Sequence, residues 1–240
     1  MKFSKFFCLS ILFVSFDTIA HTFALIQDKD GFSNVRNKPS LSAKVINTVK
    51  NQELVRCVST DESPKFCYIN SNKGKSGYIY KDRLDFFKDY KKLNLVDYNI
   101  NNAKFKGNNI EVIISANLNS GGNNFKEIKT KSGSRVILNG SEVYGTDDSL
   151  PDQRFSQLRS IIVKSKQGKV IIDKKEVEGF FFPSIGLNNQ NELGDFQIFS
   201  LENKIYILNT FNNGGAGEYN VGFYINNGKL VEKYFWKTDF

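Results

Sequence analysis

The 240-residue chain has one histidine, three cysteines, four prolines and a single tryptophan. The histidine count is the most restrictive. It excludes metal centres built on several His ligands. It also makes Ser-His or Cys-His catalysis depend on one position, His21. Long hydrophobic runs are missing too. Residues 6–16 form an apolar run of eleven residues, whereas a membrane-spanning helix takes roughly 20. No Arg-rich run is present, and the excess of 33 Lys+Arg over 25 Asp+Glu is modest. That surplus favours acidic partners but does not single out nucleic acid. What is present is 40% hydrophobic residues, including 14% aromatics, enough to build a real core and to exclude wholesale disorder.

The short apolar run has a basic start, Lys2 and Lys5, and is followed by Thr18-Ile19-Ala20. Basic start, short apolar stretch and small residue are the marks of a secretory signal peptide over residues 1–20. Cys8 lies inside the run rather than at the cleavage point, so a lipid anchor is not expected. Cleavage after Ala20 takes Lys2, Lys5 and Asp17 from the formal charge of +8 and leaves +7. It also places His21 at the mature N-terminus, away from any site. The expected location is periplasmic or secreted, in a bacterium, with no membrane anchor after cleavage.

Cys57 and Cys67 then remain. Two cysteines in an exported chain suggest a disulfide. If Cys57 faces Cys67, the hairpin between them centres on Glu62 and sets Val58 opposite Phe66. The alternative is a pair of buried thiols.

Between residues 23 and 86 the chain reads as short strands punctuated by turns at Gly31, Pro39, Pro64 and Gly74, the pattern of a small β barrel or sandwich. Asn34-Val35-Arg36 with Pro39-Ser40, then Val45-Ile46, then Gly77-Tyr78-Ile79 resembles the bacterial SH3 (SH3b) family, with its NVRxxPSxxxxVI stretch and later GxxGWV stretch. The chain departs from that pattern at Phe66, where a Trp is common, at Tyr78, and at Asn51 in place of a turn glycine. Val35, Val45, Ile46, Val49, Val55 and Ile69 are expected in the core. Gly77 is expected to permit close backbone approach or a positive φ, and Arg36 to brace a loop. The resemblance implies a binding module, of a kind that holds wall peptides or proteins beside another domain. Tyr68, Tyr78 and Tyr80 are the candidate contacts, because an aromatic face with a polar tip suits peptide or sugar. Strand packing is the competing reading for each.

Residues 87–105 are polar and Lys-rich and read as a linker or short helix. Residues 106–240 carry successive antiparallel hairpins. Turn signals stand at Asn139-Gly140, Gln167-Gly168, Glu202-Asn203 and Asn226-Asn227-Gly228, and they predict a sandwich or a meander. The fold class expected is therefore mainly β, a small SH3-like barrel followed by a larger antiparallel β domain. Asp147, Asp148 and Asp152 lack the spacing of a calcium loop. Gly214-Gly215-Ala216-Gly217 lacks the Lys-Ser/Thr of a phosphate loop. Phe180, Phe181 and Phe182 cannot all face one side of a strand. They form either a two-sided core or an exposed partner patch.

No catalytic residue, cofactor or metal is expected. The reading is an exported, non-catalytic envelope binding protein, in its concrete form an immunity or inhibitor protein against a wall-directed toxin or hydrolase. Its partner would be an envelope protein or a peptidoglycan fragment, not nucleic acid. The alternatives are a peptidoglycan-binding or scaffold protein, or the targeting subunit of a wall hydrolase.

Overall fold

The computed structural model describes residues 22–59, 63–119, 125–130, 133–138, 140–145, 155–181, 192–211 and 217–237. The signal segment 1–20, His21, Asp147, Asp148, Asp152 and Phe182 lie outside these residues, as do Gly214, Gly215 and Ala216.

The first unit is built from β1 (Thr22–Ile26), β2 (Phe32–Arg36), β3 (Val45–Lys50), β4 (Leu54–Ser59), β5 (Phe66–Ser71), β6 (Ser76–Tyr80) and β7 (Leu84–Asp85). They pair in the order β3-β2-β6-β5-β4-β1-β7, every neighbour antiparallel. Alternation sends Ala24, Ile26, Val35, Val49, Val55, Ile69 and Ile79 inward, where the sheet wraps round one apolar core. Asn51 secures the turn through its side chain, while the left-handed φ of that turn, 67°, falls on Gln52. Asn51 Oδ1 accepts from Asp28 N at 2.9 Å and its Nδ2 donates to Asp28 O at 2.7 Å, which ties two turns together.

Two expectations for this unit need correction. Val45 and Ile46 are not core but 41% and 45% exposed. β3 is an edge strand, and its register slips where Val35 faces Asn47 but Arg36 faces Val45. Ile46 is the extra residue of that bulge, which turns the alternation outward. Cys57 and Cys67 do form a disulfide, with Cα atoms 5.6 Å apart, yet they are diagonal neighbours. Cys57 faces Ile69, and Val58 faces Tyr68 rather than Phe66. The hairpin is centred one residue further on, at Ser63, so the register is shifted by two positions while both sulfurs still point into the core.

The second unit is a sandwich. One sheet runs β16 (Gly168–Ile172), β15 (Phe155–Ser165), β11 (Ile110–Asn119), β10 (Asn102–Gly107), β9 (Asn94–Asn99). The facing sheet runs β20 (Lys229–Lys237), β19 (Tyr219–Asn226), β18 (Lys204–Phe211), β17 (Gln197–Leu201), β8 (Lys91–Lys92). Phe105, Val112, Ile161 and Ile172 of the first meet Ile198, Ile207, Val221 and Phe223 of the second in a single core. A small third sheet, β12 (Phe125–Thr130), β13 (Gly133–Leu138) and β14 (Ser141–Glu142), closes over Val136, Val143 and Phe181. The four expected hairpin turns all join paired strands.

Residues 87–105 are not a linker or helix. They supply β8, β9 and most of β10. Ala103 and Phe105 of β10 alternate into the core, while β9 is an edge strand exposed along its whole length. An edge strand of Asn, Asp and Tyr does not carry the inward alternation by which strands are recognised.

Candidate functional site

On β5 and β6 the residues between the core positions face outward. The strand register sets Tyr68 across from Tyr78 and Phe66 across from Tyr80. The Tyr68 and Tyr78 rings lie 5.2 Å apart at 76°, and Phe66 and Tyr80 lie 5.3 Å apart at 70°. Such edge-to-face pairs are mutually favourable and hold each ring in place. Tyr68, Tyr78 and Tyr80 are half-buried, so each keeps a face or tip at the surface, whereas Phe66 is covered. Directly beneath lie Cys67, Ile69 and Ile79, and the Cys57–Cys67 disulfide pins β5, one of the two strands on which the patch stands, to its other neighbour β4.

Gly77 sits between these rings and the neighbouring strand. Its φ is +144°, and a Cβ there would lie 2.7 Å from both Arg36 O and Val35 Cγ1. Glycine is therefore required for β6 to approach β2 closely enough to pair Arg36 with Tyr78. Arg36 Nη1 donates to Ala43 O at 2.6 Å and so braces the loop between β2 and β3.

Another part of the barrel's outer surface is occupied, while Phe32, Leu41, Val45 and Ile46 on its β2–β3 side stay exposed. Phe23, Leu25 and Leu54, on the outward positions of β1 and β4, pack with Phe87 against Tyr206, Leu208, Tyr234 and Trp236 of the sandwich. Gly222 makes room for this. A Cβ there would stand 3.2 Å from Leu54 Cδ2. Phe87 takes an unusual left-handed φ of 59° and stacks on Phe199 at 4.4 Å. Arg56 is buried in the same seam and donates from Nη2 to Glu218 Oε1 at 3.2 Å. Burial lowers the Arg56 pKa, and the Glu218 carboxylate opposes that fall. Asn72 adds backbone bonds to the sandwich, accepting from Phe235 N and donating to Lys233 O, both at 3.2 Å.

Phe180 and Phe181 are not surface contacts. They point in opposite directions, as a strand requires. Phe180 is 3% exposed and lies in the main sandwich core beside Phe211, Phe223 and Phe235. Phe181 is 1% exposed and lies under the third sheet, where its carbonyl accepts from the Tyr219 hydroxyl. Aromatic side chains with core on both sides bury most surface that way, so neither ring is left for a partner.

The structure thus brings Tyr68, Tyr78 and Tyr80 together and removes Phe180 and Phe181 from the site. The seam to the sandwich was missed by motif reading. Its available signal is the unbroken apolar run Phe23-Ala24-Leu25-Ile26 and the Leu54-Val55 pair, since a strand apolar on both faces is covered on both faces. Among the described residues no group of three or more His, Cys, Asp or Glu is placed to hold a metal ion. Among the same residues no helix is long and apolar enough to cross a membrane.

A family model of the bacterial SH3 domain matches residues 31–85. No curated protein and no solved structure matches the chain. The matched span covers β2 through β7, so this barrel is a bacterial SH3 domain and the sandwich follows it without a family match. A domain of this family suggests a cell-wall binding module. Its disulfide fits an oxidising compartment.

Proposed function

We propose that the chain is an exported, non-catalytic binding protein of the bacterial envelope whose partner is a wall-directed hydrolase or toxin, which it inhibits. The reading is carried by the Tyr68–Tyr78 face. On a domain matched by the bacterial SH3 family model, with the outward side of β1 and β4 covered by the sandwich, these half-buried rings form a paired aromatic surface open to a partner. Rigid aromatic side chains with polar tips supply contact area at low entropic cost. Both Cys57 and Cys67 are spent in the disulfide, so neither is a nucleophile. The predicted signal segment 1–20 and the disulfide support a periplasmic setting.

The test is capture from a periplasmic extract by the tagged protein, followed by an activity assay on what is captured. A wall hydrolase should co-purify and lose activity. Tyr68→Ala with Tyr78→Ala should weaken capture at least tenfold while leaving the circular dichroism spectrum unchanged. Recovery of abundant background proteins alone defeats the reading. A second reading, direct binding to peptidoglycan, is favoured by the same rings, whose faces suit sugars and wall peptides. Pelleting with purified sacculi separates the two. Retention in the pellet without any protein partner supports the wall.

A further inference from the structure

We propose that the turn end of the sandwich carries a second binding site, a cleft for a short zwitterionic peptide. Three hairpin turns converge there, Asn108-Asn109 between β10 and β11, Lys166-Gln167 between β15 and β16, and Glu202-Asn203 between β17 and β18. With Asp89 and, on β8, Lys91, they line a half-open cleft of about 280 Å³. Ligand pockets run from roughly 300 Å³ upward, so the space suits a di- or tripeptide rather than a larger molecule.

The charges decide the ligand class. Asp89 and Glu202 bring two carboxylates, and Lys91 and Lys166 bring two ammonium groups. None of these four side chains has an ion-pair or hydrogen-bond partner among the described residues. On the neighbouring surface the opposite holds, since Glu111 pairs with Lys164 at 2.8 Å and Lys106 at 3.1 Å. Unpaired groups of both signs round one cleft match a ligand bearing both an ammonium and a carboxylate. A polyanion would be repelled by Asp89 and Glu202, and a neutral sugar would gain nothing from four exposed charges that water already solvates. The carboxamides of Asn109 and Gln167 suit the peptide groups between the ligand's termini, because an amide both donates and accepts.

The cleft is held in shape before any ligand arrives. Gln167 Nε2 donates to Asn203 Oδ1, and Asn203 Nδ2 donates to Asn227 Oδ1 at 2.8 Å, which links turns from both sheets. Asn108 Nδ2 donates to the buried Ser200 hydroxyl at 2.9 Å, and that hydroxyl donates to Lys91 O at 3.3 Å. Glu202 holds a left-handed φ of 53°, a conformation better suited to Gly or Asn. A walled, pre-arranged cleft loses less freedom on binding than a floppy one.

The experiment is an amide NMR titration of the protein with triglycine, free at both ends, against N-acetyl-triglycine amide. Triglycine should give saturable shifts at Asn109, Gln167 and Glu202, and the doubly blocked peptide should bind at least fivefold more weakly. Lys166→Ala and Glu202→Gln should each weaken triglycine at least fivefold, with the rest of the spectrum unchanged as proof of folding. The inference is overturned by an absence of saturable shifts at millimolar triglycine. Equal shifts from the blocked peptide or from chitotriose, or unaltered binding in both variants, overturn it as well. Tyr68→Ala should leave triglycine binding intact, so failure here and failure of the aromatic face are told apart.

Discussion

Gly77 and the cystine bridge hold different strand pairs of the barrel, since Gly77 lets β6 approach β2 and the bridge ties β4 to β5. Replacing Gly77 by Ala sets a Cβ against Arg36 O and Val35 Cγ1 at 2.7 Å and forces a φ of +144° on a residue with a side chain. Neither neighbour is a flexible tip, since one is backbone and the other a buried valine. Gly77→Ala should cost about 2 kcal/mol or more, read as a lowered urea midpoint. A midpoint equal to that of the unchanged protein would contradict the steric account. The Cys57–Cys67 bridge closes a short loop across β4 and β5, for which loop entropy gives about 2–3 kcal/mol. Cys57→Ala with Cys67→Ala should lose that amount, and dithiothreitol should then have no further effect on the variant. At this scale the pairing of the cysteines was legible because two cysteines outside the N-terminal apolar run have one pairing to make. Their register was not. A diagonal pair reaches as well as a direct one, and nothing in residues 57–67 distinguishes a turn about Glu62 from one about Ser63.

Arg56 on β4 and Glu218, just before β19, form a buried ion pair whose side chains are both 3% exposed. Removing one partner strands the other's charge in a dry seam. Arg56→Met alone should cost about 3–5 kcal/mol, whereas Arg56→Met with Glu218→Leu should fall much nearer to the unchanged protein. A double variant as unstable as the single one would mean that the pair does more than neutralise itself. The hairpins of β15/β16, β17/β18 and β19/β20 were readable because Gly or Asn marks each turn and apolar residues alternate on both sides. Strand β9 and the Ile46 bulge were not, and for a shared reason. Both lie at sheet edges, where exposure breaks the alternation that periodicity depends on. The cleft between turns escaped for a different reason. Asn108, Gln167 and Glu202 are far apart in sequence, and each looks like ordinary turn chemistry until the sandwich brings them together.

The barrel and the sandwich meet through a seam of Phe23, Leu25, Leu54 and Phe87 on one side and Tyr206, Leu208, Tyr234 and Trp236 on the other. Burial raises the pKa of Tyr206, Tyr219 and Tyr234 above the ordinary value near 10. The folded chain therefore keeps protons that the unfolded chain releases above about pH 10. The unfolded state then binds fewer protons, so stability is full below that pH and falls as pH rises through it. A fully buried ring such as Tyr219 contributes up to about 1.4 kcal/mol per pH unit, and a flat melting temperature between pH 9 and 11 would refute this. Because Tyr206 and Tyr234 belong to the seam and Tyr219 to the sandwich core, alkali should loosen both together. The same coupling has an optical reporter. Trp236 is the chain's one tryptophan, is 4% exposed, and packs 5.5 Å from Tyr234 and 6.0 Å from Phe23 of the barrel. Its emission should be blue-shifted in the folded protein and should respond to undocking as well as to unfolding. If the seam joins the domains into one cooperative unit, the urea transition followed by Trp236 fluorescence should coincide with that followed by far-ultraviolet circular dichroism. Leu54→Ala removes apolar contact from the barrel side of the seam while leaving both separate cores intact. It should pull the fluorescence transition to lower urea than the dichroism transition. Two transitions already separate in the unchanged protein would show that the domains fold independently and that the seam is a weak contact.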